Sequence, residues 1–258
     1  MNAFMRLIFT SDFFYSIFRV TTPLLFASMG AVLSDIAGVP NIALEGMMLI
    51  AAFAGMYFSY VFGSAFLGLL CAILFAVAAA GVMAFFTLYY KTNIILGGIA
   101  INSLASGGTV FFLYLAAHDK GTSVSLPSKV LPNINIPIIG DIPIIGPVIS
   151  GHNVLTYVAV IAVIFTWYLL KKTPLGYHLR AVGEKKEAAD SVGISVIKTQ
   201  TIALLLSGLM CGFGGAFMSM GYVSWFSRDM VSGRGWIALA AEAMGMQHPL
   251  GTEATSLL

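Results

Sequence analysis

The chain has 258 residues, 59% of them apolar and only 9% charged, with a formal net charge of +2 and a mean hydropathy of +0.92. A water-soluble domain carries roughly 25% charged residues, so the outer shell of this one faces lipid or other helices. The net charge is too small to indicate nucleic acid, and the two cysteines, Cys71 and Cys211, lie in apolar stretches without metal-ligand spacing and imply no disulfide framework.

From the N-terminus, residues 1–18 mix Arg6 and Asp12 with apolar residues, and Arg19 follows. This lacks the basic–apolar–small pattern of a removable signal peptide. The run 20–34 is short and contains Pro23, giving a first expected span near 20–36. Residues 46–90 contain no Asp, Glu, Lys or Arg and divide at Gly63-Ser64. They give spans near 41–62 and 65–90. Further spans are expected near 92–117, 153–170 and 199–220, with a partial one at 236–246. The full-length runs approach or exceed the roughly 20 apolar residues that cross a hydrocarbon core as a helix. Runs rich in Ala, Gly, Leu and Met without dyad alternation exclude a β-barrel. The expected fold is all-α, one polytopic membrane bundle over 1–258.

Two connections are long. Residues 118–151 carry Pro127, Pro132, Pro137, Pro143 and Pro147, which block a continuous helix and predict an extended surface loop. Residues 171–198 carry six basic side chains (Lys171, Lys172, Arg180, Lys185, Lys186, Lys198) against Glu184, Glu187 and Asp190. Basic excess marks the cytoplasmic side, so 171–198 faces the cytoplasm and 118–151 faces out. Counting back, 92–117 runs outward, 65–90 inward and 41–62 outward. The first span then runs inward from an external N-terminus, unless the first forty residues hold an extra partial pass.

Few side chains offer chemistry. His118, His152, His178 and His248 sit near span ends without metal-binding intervals, and no His-Glu-x-x-His run exists. An intramembrane enzyme therefore lacks support. Glu45 precedes the long uncharged run, placing a carboxylate in the second turn of a membrane helix, where free N–H groups and the macrodipole favour an anion. Asn41, four residues earlier, shares its face. The pair is either a polar element of a gate or a cap that fixes the helix start. Asn102, Ser103 and Ser106 interrupt the 92–117 span, either lining a path or bonding between helices. Trp225 and Phe226 could stack on a solute or belong to an interfacial aromatic belt. Ala27 and Ala31, and Gly208 and Gly212, recur at helix-packing spacing.

The cytoplasmic loop is the most informative segment. Residues 184–192 predict a short amphipathic helix, started by Glu184, closed by Gly193, with Ala188, Ala189 and Val192 as one apolar edge. Small residues on a charged surface helix suit a groove on another protein, although an ordinary solvated loop has the same composition.

At this point a family resemblance is visible. Gly183-Glu184-Lys185-Lys186-Glu187-Ala188-Ala189-Asp190-Ser191-Val192-Gly193 resembles the Glu-Ala-Ala-x3-Gly coupling loop of ATP-binding-cassette (ABC) importer permeases. Gly38-Val39-Pro40-Asn41-Ile42-Ala43-Leu44-Glu45-Gly46, Thr92-Asn93-Ile94-Ile95-Leu96-Gly97-Gly98 and Gly233-Arg234-Gly235-Trp236 are similar to segments of permeases for nucleosides and simple sugars. Permeases for branched-chain amino acids share this fold. The resemblance implies a multi-pass subunit of the bacterial cytoplasmic membrane that pairs with a second permease, an ABC ATPase subunit and an extracytoplasmic solute-binding protein. It implies alternating access, with Glu187, Ala188, Ala189 and Gly193 contacting the ATPase and Arg180, Gly183 and Glu184 in the same coupling segment. ATP and Mg would be bound by the partner ATPase, with no cofactor in this chain; consistently, no Gly-x4-Gly-Lys-Ser/Thr loop is present. Asn41, Glu45, Asn102 and Ser106 are the candidates for the translocation path or gate. Nucleosides are the leading solute class, simple sugars or branched-chain amino acids the alternatives. An ion-coupled carrier using Glu45 is the alternative of another class. Family members continue past Pro249-Leu250-Gly251 into further helices, so a C-terminally truncated bundle is expected, and Glu242 has no assigned role.

Overall fold

The computed structural model describes residues 11–135 and 150–257, so Arg6, Pro137, Pro143 and Pro147 lie outside the described residues. The elements are α1 (Ser11–Asp35), α2 (Leu44–Phe62), α3 (Ala65–Ala84, continued by a π-helical turn Phe85–Tyr89), α4 (Ile94–Ala117), α5 (Val154–Lys172), α6 (Pro174–Glu184), α7 (Lys186–Ser191), α8 (Val196–Phe217, continued by a π-helical turn Met218–Tyr222), α9 (Arg234–Met244) and α10 (Pro249–Ser256). Among the described residues six helical segments are long and apolar enough to cross a membrane: Phe13–Asp35, Leu44–Phe62, Ala65–Tyr89, Ile94–Ala117, Val154–Lys172 and Val196–Tyr222. The described residues form no strand, only isolated bridges at Thr122·Ser227 and Asn133·Asn153.

The first span departs from its expected limits. It begins at Ser11 and runs 25 residues straight through Pro23. The missing proline N–H is tolerated within a membrane bundle because neighbouring groups re-satisfy the turn, and here the Thr22 hydroxyl donates to the Phe18 carbonyl at 2.7 Å. Arg19, within this longer helix, places its guanidinium over the Tyr222 ring at 4.6 Å and donates to the Tyr222 carbonyl. The charge is thus satisfied at the rim.

The sides of the bundle follow from contacts. Near the start of α1, the Tyr15 hydroxyl donates to the Gly151 carbonyl at 3.1 Å, and its ring stacks on His152 with centroids 4.0 Å apart. Its end at Asp35 meets the segment carrying Gly183. Residues 11–35 are therefore a single pass that starts on the side of the Pro-rich connection, expected outside, and ends on the side of 171–198, expected inside. No additional partial pass lies within 11–35.

Helix α8 is the axis of the core and packs on α3, α1 and α2. Its small residues explain the closeness, as the spacing of Gly208 and Gly212 suggested. A β-carbon at Gly208 would lie 2.5 Å from Ala80 Cβ, and one at Gly215 would lie 2.2 Å from the Met48 carbonyl oxygen. Backbones approach where no side chain intervenes, so dispersion contacts replace the hydrophobic drive that lipid does not supply. Ala27 and Ala31 are likewise fully buried. Met29, Met47, Met48, Met56 and Met83 fill the remaining gaps, a role suited to an unbranched, polarisable side chain.

Two backbone excursions position the site. After Asp35 the chain turns back into the bundle, so that Asn41 lies level with Ser207 of α8. After Tyr222 it turns back again: Phe226 reaches Phe53 in the middle of α2 (centroids 5.5 Å apart), and residue 233 reaches the first turn of α2. Helix α9 starts there, inside the bundle, and ends near Asp35, to which Gln247 donates from Nε2. At about 1.5 Å per residue, its 11 residues cover roughly half of a hydrocarbon core. The expected partial span at 236–246 is this half-helix, shifted two residues toward the N-terminus.

Candidate functional site

The coupling segment is two helices, not one. Lys185 is extended (φ −152°, ψ 99°), so Glu184 ends α6 instead of starting the helix expected over 184–192. The Thr173 hydroxyl caps α6 by accepting from Gly176 N–H at 3.3 Å, and Pro174 takes the first position, where no N–H is needed. Gly193, with φ +85°, donates to the Asp190 carbonyl at 2.9 Å and ends α7 in the manner that favours glycine.

The apolar edge expected from Ala188, Ala189 and Val192 does not exist. Ala189 is 3% exposed and packs inward, whereas Ala188 is exposed and Val192 is 73% exposed. Adjacent residues of a helix differ by about 100° in direction, and here that turn takes Ala189 into the bundle and leaves Ala188 outside it. Gly183 is likewise occupied within this chain, because a β-carbon there would sit 1.9 Å from the Ile36 carbonyl oxygen. The outward rim therefore consists of Glu184, Lys186, Glu187, Ala188 and Val192, with Gly193 beside it. Arg180 is half-buried and lies over the Tyr177 ring at 5.0 Å.

Glu45 is the centre of the inner site. It sits in the first turn of α2, one turn earlier than expected, and does not cap its own helix. Its Oε1 accepts from Gly233 N–H and its Oε2 from Gly235 N–H, each at 2.7 Å. Both helix N-termini, of α2 and α9, converge on this carboxylate, and the partial positive charge of each favours the anion. The Arg234 guanidinium points away, donating to the carbonyls of Val231 at 3.0 Å and Met230 at 3.3 Å. Gly235 is needed for the approach, since a β-carbon would fall 2.5 Å from the Glu45 nitrogen.

The other polar candidates divide. Asn41 does not share a helical face with Glu45, because α2 starts only at Leu44. It is fully buried. Its Nδ2 donates to Ser207 Oγ at 2.9 Å and its Oδ1 accepts from Ala43 N–H at 2.9 Å. Its amide ties the 36–43 turn to α8. Asn102 bonds between helices: Oδ1 accepts from Gly46 N–H at 2.7 Å and Nδ2 donates to the Ile42 carbonyl at 2.9 Å. Its amide ties α4 to the start of α2. Ser103 and Ser106 are exposed on α4. Phe226 is fully buried and cannot stack on a solute, whereas Trp225 is 39% exposed. An open cleft of about 600 Å³ lies between α2, α3 and α4, lined by Phe53, Tyr57, Phe58, Phe75, Thr109 and Phe112 among others. Among the described residues no group of His, Cys, Asp and Glu could hold a metal ion.

Sequence reasoning missed the partners of Glu45 and the burial of Glu242. Glu242 is buried, and its Oε1 has no hydrogen-bond partner among the described residues. The Gly-x-Gly at 233–235 was the available signal for the first, since two glycines two apart leave backbone N–H groups open to an anion. No local pattern marks the second.

A bundle of six apolar spans, an exposed charged helix at one end and a re-entrant half-helix held by a carboxylate define a polytopic membrane transport protein. Residues 13–258 match the family model described as branched-chain amino acid transport system / permease component; the chain belongs to this family. It is 37% identical over 243 residues to the guanosine ABC transporter permease protein NupQ of Bacillus subtilis, covering 91% of this chain and 75% of that one. It is 33% identical to the nucleoside ABC transporter permease protein NupC of Lactococcus lactis, over 92% of this chain and 76% of that one. A putative glucose ABC transporter permease protein of Haloferax volcanii is 32% identical, over 90% of this chain and 69% of that one. No solved structure matches the chain. As a permease component, it is a transport subunit and not an enzyme.

Proposed function

We propose that this chain is the membrane permease subunit of an ABC importer that carries a nucleoside across the bacterial cytoplasmic membrane. The observation that carries this reading is the likeness to guanosine and nucleoside permeases over nine-tenths of the chain. The charged, outward-facing rim of α6–α7 supports it, because that rim offers an ATPase subunit a docking surface on the basic side of the bundle. In this reading Glu187, Ala188 and Val192 make the contact, while Gly183 and Ala189 fasten the segment to its own bundle. ATP and Mg are bound by the ATPase. A second permease completes the path, and an extracytoplasmic binding protein delivers the solute. Closure of the ATPase pair moves α6–α7 and changes which side of the path is open.

Reconstitution in vesicles with the cognate ATPase, sister permease and binding protein tests this. ATP-dependent guanosine uptake that requires all the subunits is the expected result. Uptake driven by an ion gradient without ATP would replace it with a secondary carrier. The glucose permease of Haloferax favours a second reading, a sugar importer, for which glucose would be taken up in place of guanosine.

A further inference from the structure

We infer that the re-entrant segment 224–232 is the solute-facing wall of the translocation path, and that Asp229 takes a pair of ribose hydroxyls there. This rests on the nucleoside reading above.

Three observations place the wall. The first is depth. The segment descends from Phe226, in contact with Phe53 midway along α2, to Gly233, held by Glu45 in the first turn of α2. Irregular backbone at membrane depth is tolerated only when buried in protein or lining water. The second is the polarity of what it exposes. Phe226, Met230 and Val231 turn into the protein, whereas Ser224, Trp225, Arg228, Asp229 and Ser232 are exposed. Arg228 donates its N–H to the Gly121 carbonyl of the connection between α4 and α5 at 2.8 Å; there an exposed guanidinium and carboxylate face water, since hydrocarbon would cost each on the order of 3 kcal/mol or more. The third is backbone strain. Asp229 (φ +54°) and Ser232 (φ +50°) both adopt the left-handed conformation without being glycine. Such strain gathers at ligand sites, where the surroundings over-determine it.

The Glu45 clasp and a turn in which Ser232 N–H donates to the Asp229 carbonyl at 3.1 Å hold the backbone, leaving the Asp229 carboxylate uncommitted. Among the described residues neither Arg228 nor Asp229 spends its side chain on a hydrogen bond or ion pair. A carboxylate accepts from two adjacent hydroxyls at once, the donor pattern of a ribose 2′,3′-diol. Trp225, at the outer end of the same strip, offers a ring face to a base.

The test uses the assembled transporter in vesicles with its binding protein, carrying Ser232→Cys in a background with Cys71→Ser. A charged, membrane-impermeant thiol reagent should label Cys at 232, and saturating guanosine should slow the labelling about tenfold, as for a site filled at tenfold excess over Kd. Wild-type transport should discriminate guanosine from 2′-deoxyguanosine, and Asp229→Asn should remove most of that discrimination while leaving ATPase association intact. Labelling only by apolar reagents would place the segment against lipid and overturn the wall. Unchanged discrimination in Asp229→Asn would overturn the diol contact. Protection by glucose and not guanosine would overturn the nucleoside reading while supporting the wall.

Discussion

Gly183 of the coupling segment lies against the carbonyl of Ile36, so close that a β-carbon would stand 1.9 Å from that oxygen. Gly38, with φ +70°, packs on the same residue: a β-carbon there would stand 3.3 Å from Gly183 Cα. Backbone meets backbone, and α6 packs on the 36–43 turn without an intervening flexible side chain. That turn leads directly to Glu45 and, through its carboxylate, to the start of α9.

Gly183→Ala should therefore separate α6 from the turn. Overpacking of this kind costs about 1–3 kcal/mol. The expected result is a lower thermal midpoint in detergent and reduced ATP-driven uptake, with the exposed rim still able to bind the ATPase. A wild-type midpoint together with wild-type uptake would contradict the contact.

The rim itself is tested by contrasting neighbours. Ala188→Trp and Val192→Asp alter exposed positions and should weaken co-purification of the ATPase without changing membrane insertion or melting. Ala189→Trp forces a ring into a buried position and should destabilise the permease itself. If Ala189→Trp melts normally and Ala188→Trp does not, the helix faces the other way.

Glu45→Gln keeps one acceptor for the two N–H groups and removes the charge. Losing a charge-assisted bond costs about 1.5–3 kcal/mol, so the melting midpoint should fall, and Glu45→Ala should lower it further by freeing both N–H groups. Glu45→Asp, one methylene shorter, should rescue less than Gln if reach matters more than charge. Uptake by each variant, normalised to folded protein, separates a gating role from a purely structural one.

Glu242 is buried, and its Oε1 has no hydrogen-bond partner among the described residues. A buried polar atom left unpaired costs about 1–3 kcal/mol, so Glu242→Met, apolar and of similar length, should melt at or above the wild-type midpoint in detergent. A clearly lower midpoint would contradict the unpaired carboxyl.

How much of this was legible before folding varies by residue. The six long spans could be read from charge-free runs, because lipid selects composition over the length of a helix. The start of α1 could not, since Arg19 finds its ring and carbonyl partner in Tyr222, a residue 203 positions away. Nor could the facing of Ala189, because a short helix with alanines on several sides carries no decisive apolar stripe.

Composition by itself determined the solvent and the helical class, for these follow from transfer free energies summed over long segments. Only the tertiary structure decided what Glu45 holds, which side of α7 is free, and that α9 begins within the bundle. Those depend on single hydrogen bonds and close backbone contacts between residues as far as 190 positions apart. In a chain apolar on nearly every face, no local pattern records them.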